Sequence, residues 1–312
     1  MIAAQIVSPK QIVLVDVETP VRAPQEALVE VTHIGICGSD LPAYGGDGGV
    51  YPKPVGAPVH EVLGTMTEDL EDLRAGQRVL VLSRPGMNRL VSAPRPCLLP
   101  LPADLPAPQA LVTQPLGTVI HALRKLPCVL GWKAIVVGSG PIGLLFVAML
   151  RHLGCSHITV VDPQPDRLER AQALGADEVR ANTAAQARQA GLEEAQLVVE
   201  AVGLPETLSV APLLASRGGI VLMFGVPHQL PPGGLVPCDF DTMLRKDICV
   251  IFSHGPDVKA DHGLARDLIA SGRIDVGPVV SHVLPFAEVA RGFSMAFERA
   301  PGTAKIVLEM GS

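Results

Sequence analysis

The amino-acid sequence predicts an α/β protein of two domains, one β-rich and one built on a doubly wound parallel sheet. Three observations carry this. The first hundred residues are short β-type runs broken by Pro- and Gly-rich turns. From about Leu116 apolar strands alternate with helical patterns, which predicts βαβ units and a parallel sheet covered on both faces. A length of 312 residues leaves room for two cores. The boundaries fall at residues 1–115 for the β-rich domain, with 257–312 returning to it, and at 116–256 for the parallel-sheet domain.

Each element follows from its own pattern. Residues 12–17, 27–31, 78–82 and 90–93 read as strands of the first domain. In the second, strands at 133–137, 158–161, 197–201 and 220–224 are separated by helices at 141–153, 166–174 and 206–215. The final part holds a helix at 262–271, a Pro-containing stretch, a helix at 286–299 and a strand at 305–308. Residues 247–252 read as the last strand of the parallel sheet. Its edge would be bare in a monomer, so a homodimer or a higher homo-oligomer is expected.

Composition excludes several classes. The chain is 48% hydrophobic, 18% charged and only 3% aromatic, with a formal net charge of −6 and scattered Lys and Arg. That leaves little to stack on bases or to neutralise phosphates, so neither nucleic acid nor a membrane surface is expected as a partner. The first residues lack a basic region followed by an apolar stretch and a cleavage site, which predicts a cytoplasmic protein. The uncharged run 134–150 is split by Gly138, Gly140 and Pro141 and reads as a buried strand and helix. Six cysteines without a C-x-x-C pair suit reduced thiols, most of them as core filler.

Gly138-Ser139-Gly140-Pro141-Ile142-Gly143 follows the strand ending at Val137 and opens an apolar helix. Such a motif is weak alone and gains weight from this setting. Gly138 permits a tight turn, Gly140 removes the Cβ that would block a pyrophosphate, and Gly143 lets helix and strand approach. The helix N-terminus then supplies amide donors and a positive dipole. Asp162 ends the next apolar strand, where an acid accepts from the ribose hydroxyls of an adenosine; the plainer alternative has it merely cap the following helix. Together these predict a Rossmann dinucleotide site. A carboxylate facing a 2′-phosphate would set like charges together, so NAD is favoured over NADP. Arg167 speaks for the opposite preference, though it also reads as a solvated helix side chain.

Cys37-Gly38-Ser39-Asp40 and the later His60-Glu61 place a thiol, an imidazole and two carboxylates in the β-rich region. Their spacing does not prove a metal, since a lone Cys on a β-rich segment is usually packing and a His-Glu pair on a loop usually faces solvent. The whole arrangement, however, resembles the zinc-containing medium-chain dehydrogenases, closest in style to the sorbitol, threonine and glucose enzymes. The resemblance rests on residues 34–40 (IGICGSD), 59–61 (VHE), 75–79 (AGQRV), the glycine-rich turn, Glu200-Ala201-Val202-Gly203 and 281–286 (SHVLPF), and spans essentially the whole chain.

It implies a GroES-like catalytic domain beside the Rossmann domain, and a zinc- and NAD-dependent hydride transfer between the cofactor and a secondary alcohol or its ketone. By the resemblance Cys37, His60 and Glu61 hold the catalytic zinc, and Gln114 stands where relatives carry a fourth ligand, commonly Glu. Zinc would act as a Lewis acid on the alcohol, Ser39 would accept its proton, and Asp40 would orient His60. Val202 and Gly203 join the residues 138–143, Asp162 and Arg167 in the expected cofactor site. The ligand set points to a polyol, sugar or cyclitol-like substrate, and relatives pair the 247–252 edge across a two-fold axis.

The sequence also departs from that pattern. The lobe with four cysteines for a second, structural zinc is missing: residues 78–82 run through Ser83-Arg84-Pro85-Gly86-Met87-Asn88 into 89–91. Pro42 replaces a histidine that ends the proton relay in many relatives, and Val59 replaces a glycine, so proton release would use Tyr44, a cofactor hydroxyl or water. His33, His121 and His282 sit in apolar contexts and read as core histidines. Two other readings share the fold: a zinc-free NADPH-dependent quinone or enoyl reductase, whose members lack the Cys37 and His60-Glu61 set, and a non-catalytic nucleotide-binding relative.

Overall fold

The structure is a computed structural model and describes every residue except Asp47, Gly48, Arg84, Pro232, Val258 and Ser312. Arg84, in the stretch that stands in for the missing lobe, therefore lies outside the described residues. In chain order the first strands are β1 (Ile2–Ser8), β2 (Gln11–Asp16), β3 (Glu26–Gly35), β4 (Glu61–Met66), β5 (Arg78–Val81), β6 (Leu90–Pro94) and β7 (Leu98–Pro100). Six more follow: β8 (Lys133–Val137), β9 (His157–Val161), β10 (Glu178–Arg180), β11 (Ala195–Glu200), β12 (Ala215–Met223) and β13 (Cys249–Phe252). The last two are β14 (Val280–Pro285) and β15 (Lys305–Glu309).

These strands fall into two compact units. The first comprises Met1–Gly117, Asp257–Ser271 and Val280–Ser312, the second Thr118–Pro256 and Gly272–Val279. Residues 272–279, expected with the β-rich domain, group with the parallel-sheet unit instead.

In the first unit a seven-stranded sheet runs in the order β14-β15-β3-β4-β5-β7, with β6 also paired to β3, and β1 and β2 form a separate hairpin. Period-two patterning explains the longest strand: Ala27, Val29 and Val31 of β3 are buried while Glu30 between them faces out. The strand continues past Val31 to Gly35 because it pairs with β4 and then β15, where Ile34 is also buried. Phe293 and Val289 of the helix Val289–Phe297 pack on this side with Val62, Ile306 and Leu308.

In the second unit six parallel strands run in the order β10-β9-β8-β11-β12-β13. Numbered within the unit this is 3-2-1-4-5-6, the doubly wound order, with its switch point between β8 and β11. The middle strands are apolar without alternation, as in Ala134 to Val137 and Leu197 to Val199, because both of their faces are covered. At the far edge β13 is paired on one side only among the described residues, and Phe252 at its end is 73% exposed.

Several elements differ from expectation. The helix expected over 206–215 is Pro205–Val210, and the chain then tightens into a 3₁₀ turn, Ala211–Leu214. Pro212 sits in that turn, where a missing backbone N–H ends regular helix. The 286–299 helix likewise opens with a 3₁₀ turn, Phe286–Glu288. The Pro-containing stretch is strand β14, tolerated because it is an end strand whose Pro285 is terminal. The cysteines are all free, but only Cys155 is buried, so core filling describes that one alone. Among the described residues no helix is long and apolar enough to cross a membrane.

Candidate functional site

The first unit gathers Cys37, His60 and Glu61 from two adjoining strands. β3 and β4 are antiparallel with Gly35 opposite Glu61, so the residues just past the end of β3 lie beside those that open β4. A Cβ on Gly35 would fall 2.2 Å from Glu61 Oε2, and the glycine is thus what makes room for the carboxylate. One ligand atom each from Cys37, His60 and Glu61 lies within 4.8 Å of the others. Glu61 is fully buried and ion-paired with Lys305 of β15, whose Nζ also donates to Ile36 O at 3.0 Å. A buried carboxylate needs such a partner, and Lys305 is the residue that sequence reasoning missed.

Asp40 closes the other side. It lies in the 3₁₀ turn Gly38–Asp40, fully buried, and its Oδ2 accepts from Cys37 N at 2.9 Å while Oδ1 stands 3.3 Å from His60 Nδ1. One carboxylate thus fixes the backbone at Cys37 and the ring of His60. Burial disfavours a charged imidazole, but hydrogen bonds to Asp40 and Cys37 and the charges beside it outweigh burial and raise His60 to about 10. Cys37 and His60 are half-buried and Ser39 is exposed, its hydroxyl donating to Cys37 Sγ at 3.4 Å. The cluster is therefore reachable from solvent on its Ser39 side.

The other residues of the expected site are placed as follows. Gln114 is 8% exposed near the start of the helix Thr113–Leu123, in the same unit. Pro42 occupies the first turn of the short helix Leu41–Gly45, where its missing N–H costs nothing. Tyr44 is not available as a proton outlet: it is 4% exposed and wedged between Phe293 and Phe297, with ring centroids 5.5 and 5.6 Å away. Burial pushes its hydroxyl above the ordinary tyrosine range. His33 is half-buried and, chiefly by burial, shifted below its ordinary value.

In the second unit the glycine-rich turn is shaped mostly by backbone. Gly138 has φ +95° and its N–H donates to Val161 O at 2.8 Å. A Cβ on Gly143 would lie 1.8 Å from Gly138 O, whereas one on Gly140 would meet no protein atom within 4 Å. Gly143 is thus required by the fold, and Gly140 faces open space at the N-terminus of the helix Pro141–His152. Ser139 is fully buried, Pro141 and Ile142 open the helix, and Asp162, 5% exposed, accepts from Ser139 N and Gln164 N, each at 2.8 Å. Its carboxylate therefore grips both the turn and the segment after β9. Arg167 is half-buried in the first turn of the helix Pro165–Ala173. Val202 and Gly203 follow β11, and their N–H groups donate to Glu200.

Comparison with known proteins agrees with both halves. Residues 23–93 match the alcohol dehydrogenase GroES-like domain and residues 141–271 match the zinc-binding dehydrogenase domain. The chain belongs to the zinc-containing medium-chain alcohol and polyol dehydrogenase superfamily and is an oxidoreductase of dehydrogenase type. It is 26% identical to a 2-dehydro-3-deoxy-L-galactonate 5-dehydrogenase of Pseudoalteromonas atlantica, over 94% of each chain. Among solved structures it matches the alcohol dehydrogenase TADH of Thermus sp. ATN1 at 28% identity and TM-score 0.84, over 100% of each chain. An Escherichia coli CFT073 alcohol dehydrogenase, rspB, complexed with NADH, shares the fold at 22% identity and TM-score 0.85, over 99% of each chain.

Proposed function

We propose that this chain is a zinc- and NAD-dependent dehydrogenase of a secondary alcohol, with a polyol, sugar or cyclitol-like molecule as substrate. The observation that carries the reading is the convergence of Cys37, His60 and Glu61 within 4.8 Å, half open to solvent, in a chain of this superfamily. A thiol, an imidazole and a carboxylate suit a catalytic zinc, and the open space at Gly140 suits a pyrophosphate. When bound, zinc would supply Lewis-acid polarisation of the alcohol oxygen, and a nicotinamide cofactor would supply the hydride acceptor.

The remaining steps belong to the chain's own residues. Asp40 holds His60 through Nδ1, which leaves Nε2 as the ring's ligand atom. In this reading Gln114 would be the fourth residue to hold the zinc, through a neutral and therefore weakly held amide oxygen. Ser39, exposed beside Cys37, receives the alcohol proton and passes it to water, since Tyr44 is sealed in the core. In the second unit the amides of residues 138–143 hold the pyrophosphate, Asp162 holds the adenosine ribose and repels a 2′-phosphate, and Arg167 flanks it. Val202 and Gly203 border the nicotinamide half. In this reading the β-rich unit is the catalytic domain and the parallel-sheet unit is the cofactor domain, with residues 272–279 in the latter. The protein acts in the cytoplasm as a homodimer or larger assembly joined along the edge strand β13.

Elemental analysis and turnover test this together. One zinc per chain is expected, because the structural-zinc lobe is absent, with NAD-linked oxidation of at least one member of a polyol and sugar-acid panel. No zinc in protein purified without chelator, or equal rates with NAD and NADP, contradicts the reading. A monomer by light scattering at micromolar concentration would sink the assembly.

A further inference from the structure

Glu200 ends β11 with a completely buried carboxylate. Its Oε1 accepts from Val202 N at 3.0 Å, Gly203 N at 2.8 Å and the Thr207 hydroxyl at 2.7 Å. Its backbone carbonyl accepts from Phe224 N and Gly225 N, both at 3.0 Å. One residue therefore ties the turn after β11 to the turn after β12. The two turns are already pressed together: Gly203, with φ +84°, would carry a Cβ 2.1 Å from Val226 O, and its own carbonyl accepts from His228 N at 3.0 Å.

The same turn reaches the glycine-rich loop. A Cβ on Gly138 would lie 2.4 Å from Val202 Cγ2, so Val202 packs on the bare face of Gly138. Glu200 Oε2, by contrast, has no hydrogen-bond partner among the described residues and points toward Gly225, where a Cβ would come within 2.5 Å. Bracing the turn accounts for Oε1, but it does not account for a second buried carboxylate oxygen left unsatisfied. The strand order sets β11 and β12 across the switch point from β9 and Asp162, and their carboxyl ends face the second mononucleotide half of a bound dinucleotide.

We propose that Glu200 is a positioning residue for the nicotinamide half of the cofactor: it clamps the turns after β11 and β12 and holds Val202 against Gly138. This rests on the dinucleotide reading of the second unit. Asp162 grips the adenosine side and Glu200 the nicotinamide side, each as a buried carboxylate at a strand's end that accepts backbone N–H groups.

The test is a pair of titrations on the full chain: NADH, followed by its fluorescence, and AMP, which engages the adenosine half alone. Glu200→Gln keeps the shape and one acceptor oxygen but removes the charge. It should weaken NADH binding about tenfold, the scale of a charge-assisted hydrogen bond, while AMP binds as before. The KM for NAD should rise more than kcat falls. Thr207→Val should shift NADH binding in the same direction by less, and Thr207→Ser should restore it. If Glu200→Gln does not fold, the Thr207 pair makes the same comparison. Unchanged NADH binding in Glu200→Gln and Thr207→Val, or equal losses of NADH and AMP, would overturn the clamp. Failure of the unaltered protein to bind either ligand would instead remove the dinucleotide reading on which the clamp depends.

Discussion

The two centres of this protein are built by opposite means. In the first unit the cluster is made of side chains that arrive from the end of β3, the start of β4 and β15, and two buried carboxylates, Asp40 and Glu61, depend on partners elsewhere in the chain. In the second unit the cradle is one contiguous turn, 138–143, whose shape is set by backbone and by missing Cβ atoms. A side-chain cluster fails when a single donor is lost. A backbone cradle fails most directly when an added atom fills it.

The largest effect should come from the first kind of centre. Cys37→Ala removes the sulfur of the proposed zinc site and should lower zinc affinity by more than the roughly 10–100-fold typical of losing an outer partner of a ligand. Because the cradle lies in the other unit, NADH should still bind. Zinc content by elemental analysis and NADH titration of the same sample separate the two, and loss of both together would mean that the centres are not independent.

The cradle gives the converse pair. Gly143→Ala drives a Cβ into Gly138 O, and should cost about 1–3 kcal/mol of stability and cofactor binding with it. Gly140→Ala meets no protein atom within 4 Å, so its melting temperature should match the unaltered protein while NADH binding drops at least tenfold. Thermal melts with and without NADH read this directly. If Gly140→Ala bound NADH normally, the pyrophosphate would not lie there.

The two centres were also unequally visible in the sequence. The cradle was legible because its logic is local: a strand, three glycines and a helix follow one another without a break. Cys37, His60 and Glu61 were visible as residue types, but nothing local pairs Glu61 with Lys305, which lies beyond the whole second unit in the chain. That contact follows from β15 pairing with β3 and β3 with β4, a register that periodicity does not supply. Tyr44 misled for the same reason, since the rings that bury it, Phe293 and Phe297, come from the far end of the chain. Glu200 is visible in the sequence only as the first residue of Glu200-Ala201-Val202-Gly203, and the three donors to its carboxylate come together once the turn is folded.

Acidity distinguishes the centres as well. His60 holds its proton up to about 10, and a metal must displace it. Apparent zinc affinity should therefore weaken at least tenfold for each pH unit below that value, with about one proton released from His60 per zinc bound in addition to any released by the Cys37 thiol. For the metal-free protein the sign is opposite. A folded pKa raised above the ordinary 6.5 gives stability that is full below pH 6.5 and is lost as pH rises through about 10. Melts with zinc and with chelator between pH 6.5 and 10 should therefore converge at the low end and diverge at the high end. Parallel curves would remove His60 from the metal.

The smallest effect belongs to Asp162, because its carboxylate serves two purposes at once. It accepts from Ser139 N and Gln164 N, and so holds the cradle's turn, and it is the group that would meet the ribose hydroxyls. Asp162→Ala should weaken NAD through both losses. NADP should lose only the turn's support while gaining relief from a like charge, which at a partly screened distance is worth about 1 kcal/mol. The ratio of kcat/KM for NAD over NADP should thus fall several-fold while both values decline, and Asp162→Asn, which keeps an acceptor oxygen without the charge, should shift the ratio with less loss for NAD. If Asp162 served only to brace the turn, both cofactors would decline by the same factor and the ratio would stay fixed. The direction of the ratio, rather than the loss of activity, decides whether this carboxylate reads the ribose.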